Sequence, residues 1–218
     1  GQLAGSGGFV RAAGRKYYDV LRQIHEALLF DCYFEIGSRD GDSLALSRSR
    51  SVAVDPYFQV RKDVLGIKPQ LSMFQCGADE FFASDFLKRN EISISFGFLD
   101  GMHLFEYLLR DFMNSERNAR STSVLALHDC CPFNHQMTTR DVDSIPVGKP
   151  WTGDVWKLIP ILRQYRPELS LTVLDCWPTG LVLVTGLDPE IDVLSRHYVQ
   201  IVSEWGQVTL ADYGVGRL

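Results

Sequence analysis

With 218 residues, 45% of them hydrophobic and 22% charged, the chain is long enough for one sizeable core, and a single domain is expected over 1–218. A formal net charge of −5 without any Lys/Arg-rich block argues against a nucleic-acid binder, and no apolar run approaches the ~20 residues that span a bilayer. The five cysteines, Cys32, Cys76, Cys130, Cys131 and Cys176, are odd in number and show no C-x-x-C spacing, so neither a disulfide framework nor a zinc cluster is indicated. A reducing, cytoplasmic setting is the expectation.

Residues 1–14 are rich in Gly and Ala, lack the apolar core of a signal peptide and are expected to be flexible. Gly1 in place of an initiator Met looks like the remnant of a cleaved tag, and nothing is inferred from it. Tyr17, Leu21, Ile24 and Leu28 then follow helical spacing and predict an amphipathic helix ending before Phe30. Residues 33–36 form a short apolar strand that stops at Gly37. Gly41 precedes a helix-compatible segment at 42–49, and the β-branched run 51–54 predicts a second strand ending in Asp55.

Further strands are expected at 70–76, 92–99 and 123–127, with a short helix after Asp79 and a longer one carrying Leu104, Phe105, Leu108, Leu109 and Phe112 on one face. Residues 130–152 are too long and polar for a plain connection and carry Asn134, His135, Arg140 and Lys149, so they are expected to form an active-site loop. Asp154 is expected to open a helical segment through Val155, Ile159, Leu162 and Tyr165, in which Pro160 should produce a kink or mark the true start. Two strands at 169–174 and 180–185 complete the set, followed by a helix with Asp188 as cap and apolar positions up to Trp205, a face compatible with a homodimer. The tail 206–218 carries no clear signal. Strands alternating with helices predict a doubly wound, mostly parallel, seven-stranded Rossmann-like α/β sheet with helices on both faces, whose ligands bind beyond the carboxyl ends of the strands.

The chemistry-bearing residues fall at those ends. Gly37 and Gly41 would let the backbone of the first turn approach a ligand, and Asp55, 18 residues after Gly37, suits a ribose diol. Arg39 stands where a dinucleotide fingerprint needs glycine, which disfavours a nicotinamide-dependent oxidoreductase. Asp100 and the pair His128-Asp129 end neighbouring strands, and two carboxylates with an imidazole suit a hard divalent ion, Mg²⁺ or Mn²⁺. His103, three residues after Asp100, suits a general base or a further ligand. Each also has a structural reading: Asp100 as a helix cap, His128 bonded to backbone, Asp129 in a turn, Asp79 as an N-cap.

The sequence E-x-G-x-x-x-G from Glu35 to Gly41 resembles the first motif of class I S-adenosylmethionine-dependent methyltransferases. D-G-M-H-L-F-E-Y-L-L-R-D-F from Asp100 and V-L-A-L-H-D-C from Val124 resemble signatures of the family labelled methyltransferase domain 24, which contains metal-dependent sugar O-methyltransferases. The resemblance implies an S-adenosylmethionine pocket lined by Glu35, Gly37, Ser38, Gly41, Asp55, Asp79 and Asp100, with Asp79 near the adenine. It also implies metal positions at Asp100, His128 and Asp129, and O-methylation of a small hydroxylated acceptor such as a sugar. Met102 stands where some relatives carry an acidic base, and His128 where Asp is favoured, so His103 becomes the substitute base beside Asp100. Two alternatives stand beside this one: a metal-independent methyltransferase using His103, and a non-catalytic S-adenosylmethionine-binding domain.

Overall fold

The computed structural model describes residues 8–218. Its centre is a seven-stranded sheet built from β1 (Tyr33–Ile36), β2 (Ser51–Val54), β3 (Leu71–Phe74), β4 (Ile94–Leu99), β5 (Ala119–His128), β6 (Ser170–Leu174) and β7 (Leu181–Thr185), in the order β3-β2-β1-β4-β5-β7-β6. β1 pairs in parallel with both β2 and β4, while β7 runs antiparallel between β5 and β6. The doubly wound, mostly parallel sheet is thus as expected.

β1 is buried at all four positions, as a strand covered on both faces must be. Its alternation divides two cores. Phe34 and Ile36 join Val52, Val54, Leu99, Leu125 and Leu127 under α4 (Phe105–Arg117) and α5 (Leu158–Tyr165). Tyr33 joins Ala53, Phe96, Phe98 and Ala126 under Leu21 of α1 (Tyr17–Ala27) and Leu44. The second core is the thinner one, because the helix expected at 42–49 is a single 3-10 turn, Leu44–Leu46. Serines account for this. Ser47 Oγ accepts from the Ser49 amide, Ser49 Oγ from the Phe30 amide, and Ser51 donates to the Ser49 carbonyl, so side chains take over backbone groups a helix would have paired.

Three other boundaries depart from expectation. The short helices after β3 are α2 (Ala78–Ala83), with Gly77 at its N-cap, and α3 (Phe86–Arg89); Asp79 lies in the first turn of α2 rather than capping it. Asp188 accepts from the Glu190 amide in a turn, and the helices beyond it are α6 (Val193–Arg196) and α7 (Tyr198–Trp205). The tail holds α8 (Leu210–Tyr213), opened by a Thr209/Asp212 capping box. The flexibility expected of 1–14 lies, for residues 1–7, outside the described residues. From Phe9 onwards the segment is pinned: Phe9 is buried edge-on against His135, and the Ala13 amide donates to Asp175 at 2.8 Å. Among the described residues no helix is long and apolar enough to cross a membrane.

His25 supplies a stability prediction. It is 1% exposed among Phe30, Tyr33 and Phe96, and neither ring nitrogen has a hydrogen-bond partner. Burial, aided by Lys68 and Arg48, pushes its pKa down to about 4 from 6.5. The native state therefore binds fewer protons than the unfolded chain between those values, and stability falls as pH drops through that window. Urea unfolding should show that wild type loses about 3 kcal/mol more than His25→Leu between pH 7 and pH 4. Parallel curves for the two proteins would refute it.

Candidate active site

The first turn after β1 brings two strand ends together. Gly37 has φ +87°, and a Cβ there would lie 1.9 Å from the Asp100 carbonyl oxygen, so a side chain at 37 would push the tip of β4 away from β1. The turn closes through a hydrogen bond from the Gly41 amide to the Ser38 carbonyl at 2.7 Å, with Arg39 left-handed at φ 36°. Asp55 shapes this turn from the end of β2: one carboxylate oxygen accepts from the Arg39 amide at 2.9 Å, the other from the Tyr57 amide at 2.7 Å. Each oxygen keeps a second lone pair. Ser38 Oγ is buried without a hydrogen-bond partner, so the turn holds an orphaned polar atom between two glycines.

Glu35 is fully buried beneath this turn. It accepts from the Tyr33 hydroxyl and, at 3.0 Å, from the Ser43 hydroxyl. Burial pushes its carboxyl up to about 7 against the pull of those hydroxyls. Asp79 pairs bidentately with Arg110 of α4, whose Nη1 also donates to the Tyr198 hydroxyl at 2.5 Å. Asp111, the last acid of the D-G-x-H segment, lies under Gly101, whose missing Cβ would sit 3.2 Å from its Oδ2. Burial, reinforced by Asp79, pushes the Asp111 carboxyl up to about 7.

Beside the turn, Asp100, His103, His128 and Asp129 converge. His103 Nε2 lies 3.2 Å from Asp129 Oδ2 and 3.5 Å from Asp100 Oδ1, while His128 Nδ1 lies 3.2 Å from Asp100 Oδ1 and 3.4 Å from Asp129 Oδ1. Burial favours neutral imidazoles, but the two carboxylates outweigh it, raising His103 and raising His128 further. Asp100 is partly buried, which favours its neutral form, yet the imidazoles hold it well below the usual carboxylate range.

Asp100, His103 and Asp129 each offer one ligand atom, and the three atoms lie within 4.8 Å of one another. The donor set fits a hard divalent cation by its chemistry. His103 Nδ1 sits 2.8 Å from the Trp151 carbonyl, an acceptor that fixes Nδ1 as the protonated nitrogen and leaves Nε2 for a proton or a metal. Thr179 donates to Asp129 Oδ1 at 2.6 Å. His128, expected among the ligands, is in contact with both carboxylates, while its ring lies against Tyr17 at 4.0 Å and its Nε2 is buried without a partner. Asp129 itself is left-handed at φ 62°, a conformation that short polar residues tolerate and that recurs where a site constrains the backbone.

The long loop contributes mostly architecture. Arg140 donates to Asp154 Oδ2 at 2.6 Å and to both oxygens of Glu106; Asn134 Oδ1 accepts from the Met137 amide. Asp154 opens the next helical segment as expected, as N-cap residue of the 3-10 turn Val155–Lys157 that runs into α5, but its side chain serves another helix: it accepts from the Phe105 amide at 2.9 Å and so caps α4, whose own N-cap residue, Leu104, cannot. Gly153, at φ 54°, passes so close that a Cβ would lie 1.6 Å from the His103 carbonyl oxygen. The loop is thereby anchored on the His103 segment. Tyr17, Trp151 and Thr179 carry no sequence signal for these roles: one lies on an apolar helical stripe, one acts through its carbonyl, and one sits in a W-P-T-G turn.

No protein-family model matches the sequence, and no curated protein matches it. The resemblance to methyltransferase domain 24 therefore rests on the motifs around Glu35, Asp100 and Val124. Solved structures do match in fold. An O-methyltransferase from Bacillus cereus in complex with S-adenosylhomocysteine aligns with TM-score 0.58 and 12% identity, covering 80% of this chain and 82% of that one. The O-methyltransferase TomG from Streptomyces achromogenes, involved in tomaymycin synthesis and bound to S-adenosylmethionine, aligns with TM-score 0.57 and 14% identity over 79% and 80%. MycE of the mycinamycin pathway, in complex with Mg, S-adenosylhomocysteine and mycinamycin VI, aligns with TM-score 0.50 and 15% identity over 80% of this chain and 48% of that one. The chain thus has the Rossmann-like methyltransferase fold.

Proposed function

We propose that the protein is an S-adenosylmethionine-dependent O-methyltransferase acting on a small hydroxylated acceptor, with a divalent cation held by Asp100, His103 and Asp129. The observation that carries this reading is the convergence of two carboxylates and a tautomer-fixed imidazole at strand tips adjoining a glycine-bounded turn. The cofactor would occupy that turn, where Gly37 and Gly41 let the chain pack against Asp100 and Val64, Ser38 Oγ awaits a partner and the Asp55 oxygens keep lone pairs for ribose hydroxyls. Glu35, buried below the turn, would face the cationic sulfonium end, whose charge would favour its ionised form, and Asp79 would lie on the adenine side.

Bound at the three side chains, a cation would hold an acceptor oxygen and lower the pKa of its hydroxyl. The chain's own groups set the geometry. The Trp151 carbonyl holds His103 with Nε2 towards the carboxylates, Thr179 and His128 orient Asp129, and Tyr17 covers the His128 ring. Methyl transfer needs an oxygen in line with the sulfonium methyl and a place for its proton, and in the absence of a cation His103 Nε2, 3.2 Å from Asp129 and 3.5 Å from Asp100, is the atom whose lone pair is free for it. If the cation were dispensable, the same atom would serve as general base, and a chelator distinguishes the two.

Calorimetric titration with S-adenosylmethionine and with NAD, each with and without Mg²⁺, tests the ligand class. Saturable binding of S-adenosylmethionine and none of NAD is expected. Failure of S-adenosylmethionine to bind under every condition would remove the proposal and leave only the fold.

A further inference from the structure

Resting on that reading, we propose that Arg11 and Lys16, held on the faces of Phe133 and Trp177, form an anion-binding rim that selects a planar acceptor carrying a negative charge beside its hydroxyls. The Arg11 guanidinium carbon lies 4.5 Å from the Phe133 ring centroid and 5.7 Å from that of Trp177, and Lys16 Nζ lies 5.7 Å from Trp177. Among the described residues neither cation has a carboxylate within ion-pair distance or donates a hydrogen bond, so both keep their donors for a ligand. Of the acids beside this segment, Asp175 accepts from the Ala13 amide, and Asp19, in the first turn of α1, makes no ion pair with Lys16.

The rim is tied to the reacting centre by short covalent and hydrogen-bonded paths. Trp177 receives the Tyr17 amide at its carbonyl, 3.1 Å away, and donates its own amide to the Arg15 carbonyl at 2.9 Å. Tyr17 covers His128, and two residues beyond Trp177 the Thr179 hydroxyl donates to Asp129. The Cys131 amide donates to the Thr179 carbonyl at 2.9 Å, joining the loop that carries Phe133 to the same turn. Sheet order places the rim on the acceptor side. Gly37, Asp55 and Asp100 end β1, β2 and β4, whereas Phe133 follows β5 and Trp177 lies between β6 and β7, in the other half of the sheet. Trp177, 39% exposed, and Phe133 add flat apolar faces to the two cations.

Three catechols of different charge test the rim: 3,4-dihydroxybenzoate, catechol and dopamine. Calorimetric binding to the protein with Mg²⁺ alone, and with Mg²⁺ plus S-adenosylhomocysteine, should rank them in that order, the acid about tenfold tighter than the amine, as two partly exposed charge contacts allow. The preference should shrink as KCl is raised, and in an Arg11→Gln, Lys16→Gln variant the ratio should approach one. Equal affinities, a preference for dopamine, a preference that survives the double substitution, or no binding of any probe would overturn the rim. Titration with S-adenosylmethionine itself is scored separately. Cofactor binding without acid preference refutes the rim alone, and acid preference without cofactor binding refutes the methyltransferase reading alone.

Discussion

Methyl transfer by an Asp100→Ala, Asp129→Ala double variant is expected to fall by about 10³-fold or more, since two of the three candidate ligands and the counter-charges of both imidazoles are removed together. The single variant Asp129→Ala separates the roles. Asp129 contacts Thr179, His128 and His103 and has no contact with the glycine turn, so its loss should abolish Mg²⁺ dependence while S-adenosylmethionine still binds. Asp100 is the less clean target, because it ends β4 beside the glycine turn and its carboxylate contacts both imidazoles. Activity indifferent to a chelator and retained in Asp129→Ala would sink the cation and leave His103 as a base. Activity lost in Asp129→Ala but indifferent to a chelator would give the carboxylate a role in orienting that base.

The sheet was legible because its strands are short, β-branched or aromatic, and bounded by Gly, Asp or Pro, a local pattern that burial on both faces enforces. The strand-tip acids were legible for the same reason, since a doubly wound sheet sends its carboxyl ends to one edge. What a linear pattern does not carry is the pairing of those acids. Thr179 and Asp129 are 50 residues apart, and Trp151 reaches His103 across 48 residues through a backbone oxygen common to every residue type. The segment 42–49 was misjudged as helix because its apolar spacing outweighed its serines, whose hydroxyls compete for the backbone. The capping box at Thr209 was present in the sequence as T-x-x-D, with Asp in place of the usual Glu or Gln.

The fold's largest single-residue stability effect is expected where α4 ends, at a buried ion pair. Arg166 is fully buried and donates to Glu116 through both terminal nitrogens, at 2.7 and 2.9 Å, and Glu116 Oε1 also accepts from the Asp188 amide at 3.0 Å. One carboxylate thus ties α4 to the end of α5 and to the turn before α6. Glu116→Ala strands an amide and leaves the buried guanidinium with one partner, the half-exposed Glu168 that pairs with its Nε, and should cost about 3 kcal/mol in urea unfolding. Arg166→Met, which strands the carboxylate, should cost a similar amount. The double variant Glu116→Leu, Arg166→Met removes both buried charges, leaves the Asp188 amide unpaired at about 1–3 kcal/mol, and releases Glu168, which is half-exposed and can be solvated. It should therefore be more stable than either single variant. Strictly additive costs would mean that the pair is not energetically coupled, and singles costing under about 1 kcal/mol would mean that water reaches the guanidinium once the carboxylate is gone. Because the pair sits at the opposite end of α4 from His103, the double variant should retain the Mg²⁺ dependence of wild type, separating the energetics of the scaffold from the chemistry at its strand tips.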